Sequence, residues 1–97
     1  MIGYFHFSTR PRKREVLGKL DDVGKSVFDL REEFAKEYGV EAASFRYMRM
    51  LAKMHRHAEA LTRKGYAERA ERPLPGEATE TVYKLTEKGA ATRDRPL

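Results

Sequence analysis

Arg46, Arg49, Lys53 and Arg56 recur at three- and four-residue steps within the stretch SFRYMRMLAKMHRHAEALTRKGY, residues 44–66, and Arg63 extends the series. On an α-helix that spacing puts the cations on one stripe. Charged helix faces are ordinarily solvated faces, and they mix signs because opposite charges four residues apart support each other. Here Glu59 is the only acid between Phe45 and Lys64. A row of one sign is a candidate phosphate-facing surface, with a merely solvated face as the alternative.

Other chemistry finds little support. The three histidines are His6, His55 and His57. His55 and His57 stand two positions apart, so a helix turns them to different faces instead of converging them as an i, i+4 pair would. No cysteine is present to add a thiolate ligand, and no metal site is expected. The expectation is one histidine at the core edge and the other on the basic side. No glycine-rich phosphate loop, nucleophile elbow or dinucleotide fingerprint occurs. The acids of REEFAKEYGVE read as a helix surface, with nothing to pair them in a cleft. The chain is expected not to be an enzyme and to need no cofactor.

The elements that must position the basic row are legible in part. Tyr47, Leu51, Met54, Ala58 and Leu61 form an apolar stripe along the same stretch, so one side of a long helix enters a core. Lys64 and Gly65 supply a stop signal, a cation in the last turn followed by a residue that tolerates positive φ. Upstream, Ser26 and Asp29 resemble a capping box, and Val27, Leu30, Phe34 and Tyr38 share a face, with Phe28 and Ala35 near it, before Gly39 ends the helix. Helix, glycine-containing turn and second helix make a helix-turn-helix. Val40 is expected under the turn, Glu41 near the cap and Phe45 as the first core anchor. Ala42, Ala43, Ser44, Arg46 and Tyr47 then occupy the exposed first turns, those that reach base edges when such a helix enters a major groove.

An earlier helix is expected over Thr9 to Leu20, capped by Ser8 or Thr9, with Pro11 in its first turn and Val16, Leu17 and Leu20 facing inward. Asp21 to Lys25 reads as a connector. After the long helix, a strand over Tyr66 to Ala70, a loop over Glu71 to Ala78 and a strand over Thr79 to Leu85 make a β-hairpin. In the second strand Thr81, Tyr83 and Leu85 should share one side and Val82 the other. Thr86 opens a last helical turn, and residues 92–97 look frayed.

Length and charge bound the whole. Ninety-seven residues fit one domain with one modest core. The net charge of +5 and the isoelectric point of about 9.6 favour nucleic acid or an acidic protein as partner. No apolar run approaches the roughly 20 residues of a membrane span, and the N-terminus lacks the pattern of a signal peptide, so a cytoplasmic protein is expected. The aromatic arm MIGYFHFS, residues 1–8, offers Tyr4, Phe5 and Phe7 to the core or to a second subunit, and a homodimer is the expectation.

The order of elements, together with EALTRKGYAER at 59–69 and VYKLTEKGAA at 82–91, resembles the winged-helix regulators of the MarR and PadR type. TRPRKREVL at 9–17 is similar to the opening helix of MarR-type domains. The chain departs from that family in its longer 44–64 helix and in lacking long terminal dimerisation helices. The resemblance implies an α+β, mainly α, winged helix-turn-helix of about three helices and a two-stranded hairpin wing over residues 9–91, flanked by the 1–8 arm and a 92–97 tail. It implies a sequence-specific regulator of transcription that binds double-stranded DNA. The long helix would lie in the major groove, and Arg69 and Arg72 beside the wing loop would reach phosphates or the minor groove. The site residues expected are Ala43, Ser44, Arg46, Tyr47, Arg49, Lys53, Arg56, Arg69 and Arg72. A winged-helix protein-interaction module and a nonspecific nucleic-acid packaging protein are the competing readings, because fold alone does not fix function.

Overall fold

The computed structural model describes residues 10–95, so the aromatic arm and its expected role in a dimer lie outside the described residues. It is a small α+β protein, mainly helical, with the order α1 (Lys13–Lys19), α2 (Val27–Tyr38), α3 (Phe45–Arg63), β1 (Ala67–Pro73), β2 (Thr79–Leu85) and α4 (Glu87–Arg93). The strands form a two-stranded antiparallel sheet.

α1 starts later than the sequence suggests. Arg12 is its cap, and Pro11 lies before the helix, not in its first turn, and is buried. The start is set by Glu15, whose carboxylate accepts from the Arg12 backbone N–H at 2.9 Å and so satisfies a donor that the helix itself leaves unpaired. α2 begins as expected. Ser26 Oγ accepts from Asp29 N and Asp29 Oδ2 accepts from Ser26 N, each at 3.0 Å. Gly39 closes it at φ 65°, and Val40 N donates to Ala35 O at 2.8 Å while Val40 packs on the core.

α3 runs for 19 residues, a rise of about 28 Å, with Ser44 as its cap. Its phase differs from expectation. Met50, Met54, Ala58 and Leu61 are buried, whereas Tyr47 and Leu51 are only half-buried. Met50 lies four residues before Met54, about one turn away on the same line, while the Tyr47 hydroxyl needs a polar partner and turns to Glu32 at the margin. Phe45 is corrected outright. It is 80% exposed, because about 100° of rotation per residue carries it to the side opposite Met54.

The core collects Val16, Leu17 and Leu20 of α1, Leu30 and Phe34 of α2, the buried line of α3, Ala67 and Tyr83. α3 is the central element, packed by α1, α2 and β1.

The hairpin is longer and its loop shorter than expected. Pairing runs from Ala67↔Leu85 out to Pro73↔Thr79, leaving a tip of residues 74–78 closed by Leu74 N to Ala78 O at 3.0 Å. Pro73 sits in the outermost pair, where its missing N–H costs the ladder least. Side chains across the ladder support that length: Arg72 pairs with Glu80, and Glu71 accepts from Thr79 and Thr81.

Both sides of β2 are covered at its centre, since Val82 and Tyr83 are both buried. The connector explains this. Lys25 bridges Tyr83 with backbone bonds of 3.1 and 2.8 Å, and Leu85 N reaches Asp21 O at 2.8 Å. The connector therefore lies along the free edge of β2, and Gly24, at φ 106°, comes so close that an added Cβ would stand 2.8 Å from Val82 Cγ2.

After β2, Thr86 caps α4 by accepting from Gly89 N at 3.0 Å. The helix continues to Arg93, so residues 92 and 93 are helical and not frayed. Gly89 is buried against Tyr66, where a Cβ would lie 2.0 Å from the backbone carbonyl oxygen. No helix among the described residues is long and apolar enough to cross a membrane.

Candidate nucleic-acid interface

The outward side of α3 carries the cation row. Arg46, Arg49 and Arg56 are exposed, and Lys53 is half-buried beside them. None of the four forms a salt bridge with a described residue. Arg46 instead lies 5.9 Å from the centre of the Tyr38 ring. Burial, then Arg56 and Arg46, hold the Lys53 ammonium below its ordinary value. The row therefore repels itself in the free protein, a cost that a polyanion would relieve.

The first turn is built around Ser44. Its hydroxyl accepts from Tyr47 N at 3.1 Å and donates to Glu41 O at 2.7 Å, so its side chain is committed to capping. Ala43 is exposed just before it. Tyr47 donates its hydroxyl to Glu32, and the Arg31 guanidinium sits 4.1 Å over its ring and 5.7 Å from that of Phe28.

The hairpin cations are placed differently. Arg69 donates twice to Glu59 of α3, at 3.0 and 2.8 Å. Arg72 pairs with Asp29 at 3.0 Å and with Glu80. Of the nine residues expected from sequence, Arg46, Arg49, Lys53 and Arg56 share one unneutralised face. Arg69 and Arg72 lie on β1 and already hold carboxylates.

Sequence reasoning missed Phe45 and Met48. They are 80% and 62% exposed on the same outer side of α3. The missed signal was phase: once Met50, Met54, Ala58 and Leu61 fix the inward line, positions 45 and 48 must point away from it. His57 is half-buried, with Nε2 buried and unpartnered, while His55 is exposed. Burial first, then Lys53, hold the His57 imidazole below its ordinary value. No group of three metal-binding side chains occurs among the described residues.

Glu59 ties α3 to the sheet. It accepts from Arg69 and from the Tyr83 hydroxyl, the latter at 2.5 Å. Arg69 first, then Tyr83, hold the Glu59 carboxyl down to about 2, and burial followed by Glu59 pushes the Tyr83 phenol up to about 12. Glu15 is likewise held to about 2, chiefly by Arg10. A depressed carboxylate stabilises the fold above its unfolded value of about 4.3 and loses that contribution as pH falls toward its folded value. Stability should therefore decline between about pH 5 and pH 2, and Glu59→Gln should flatten part of that decline. Urea midpoints measured across this range test it. An unchanged slope in the variant would show that the tie carries no linkage.

No protein-family model, curated protein or solved structure matches the chain.

Proposed function

We propose that the chain is a winged-helix regulator of transcription that binds double-stranded DNA with sequence preference, α3 lying in the major groove. The observation that carries this is the four-cation face of α3, which has no carboxylate partner among the described residues, while Arg69 and Arg72 are neutralised within the protein. Four neighbouring cations on one helix face, of one sign and spaced by three and four residues, make a surface suited to phosphates. The helix–turn–helix of α2 and α3, with the hairpin following and the connector bridging β2, supports the winged-helix reading. Arg69 and Arg72 would contact phosphate only by releasing their carboxylates, so the hairpin is proposed chiefly as a support for α3. A homodimer is proposed to place two such helices in successive grooves. Sedimentation at high concentration showing only monomer would reject it.

Arg46 lies in the first turns, where side chains approach base edges, and Arg56 lies further along, nearer the backbone. A bidentate arginine–guanine contact discriminates by about 1–3 kcal/mol, whereas a phosphate contact carries no base preference. Arg46→Ala is therefore expected to lower the preference for a selected duplex over a scrambled one. Arg56→Ala should weaken both alike and reduce the salt slope by about 1. Matched titrations at several salt concentrations measure this. Equal loss on both duplexes for Arg46→Ala would remove its base-reading role. A wild type without any preference would favour a packaging protein.

One observation favours the protein-interaction reading, namely the exposure of Phe45 and Met48 on the same face. It predicts no duplex binding even at low salt, and the same titrations decide it.

A further inference from the structure

Two stripes run side by side along the outer face of α3. Arg46, Arg49, Lys53 and Arg56 form one, and Phe45, Met48 and Ala52 form the other, with the same spacing shifted back by one residue. One residue of a helix is about 100° of rotation, so the stripes stand roughly a quarter turn apart. When a helix lies in a groove, its base-facing line and its backbone-facing line are separated in just this way. Phe45 and Met48 are 80% and 62% exposed, contribute little to the core, and offer no hydrogen bond to a base edge. Ala52 between them and the next turn is exposed and short, which lets the helix backbone approach closely.

The major-groove edges of the four base pairs present donors, acceptors and one apolar group, the C5-methyl of thymine. We propose that Phe45 and Met48 read thymine methyl groups and so determine which sequences the protein prefers. The proposal rests on the DNA reading above. The adjoining cation row is what selects this occupant: a partner covering the apolar stripe must also accept the positive charges of Arg49, Lys53 and Arg56, which duplex DNA does with its phosphates.

The test compares thymine with uracil, which differ only by that methyl. A duplex is selected from a randomised pool and titrated in thymine and in uracil form, with wild type, Phe45→Ala and Met48→Ala. Both side chains are exposed, and far-UV circular dichroism confirms that the variants fold. The selected site is expected to contain thymine. Uracil should weaken wild-type binding by about fourfold for each methyl read, the fold-change equivalent to about 0.8 kcal/mol for a buried group of methyl size. Each variant should lose part of that difference. A selected site without thymine, equal wild-type affinity for both duplexes, or variants that keep the full difference would overturn the proposal while leaving DNA binding intact. Absence of duplex binding at low salt would instead overturn the DNA reading itself, and this proposal with it.

Discussion

Replacing Phe34 by alanine is expected to lower the free energy of unfolding by roughly 3–5 kcal/mol. Phe34 is 1% exposed and is among the largest fully buried side chains, stacked on Tyr38 at a centroid distance of 5.8 Å. The Lys19 ammonium lies over the ring, 5.5 Å from its centre. Little in this small core can close the space the ring would vacate, so the loss includes a cavity as well as lost transfer energy. Single domains have about 5–15 kcal/mol of stability in total, so this one change would remove a large share of it. Phe45→Ala should stay within about 0.5 kcal/mol, as ordinary surface changes do. Urea denaturation of the two variants in parallel is the measurement. Comparable losses would mean that α3 is rotated from the packing described.

The second large effect is on binding. Converting Arg49, Lys53 and Arg56 together to glutamine should reduce the magnitude of the log–log salt slope by about 2.7, at about 0.9 per phosphate contact. At about 0.1 M salt that corresponds to a loss of roughly two to three orders of magnitude in affinity for any duplex, cognate or scrambled. The fold should survive, because these side chains hold no carboxylate among the described residues and Lys53 is disfavoured by its cationic neighbours. Titrations across a salt series give the slope directly. A variant with the wild-type slope would show that this face does not meet phosphates.

Local signals were legible and long-range ones were not. The Ser26–Asp29 box, the Gly39 stop and the extent of β2 each depend on residues within a few positions of one another, and the structure has all three. Phe45 and Met50 exchanged roles because an apolar side chain near a helix start fits either face until the buried line is fixed. Pro73 marked a loop by residue type, yet a proline in a terminal pair leaves the ladder intact. Glu59 and Asp29, the partners of Arg69 and Arg72, lie across the fold and no spacing rule connects them, while Glu80 faces Arg72 across a ladder that the loop reading of residues 71–78 hid. For the candidate site, the cation row was legible from period and sign. The apolar stripe beside it was not, because its outward direction depends on how α3 packs.

The hairpin tip has a bearing on how such a protein can diversify. Its ties to the body end at Arg72, and residues 74–78 beyond it hold together through one backbone bond and a glycine at φ 84°. Doubling a flexible loop costs only about 0.6 kcal/mol in closure entropy. Insertions and deletions can therefore accumulate at the tip without moving α3, so the reach of the hairpin and the surface of the helix are free to evolve as separate traits.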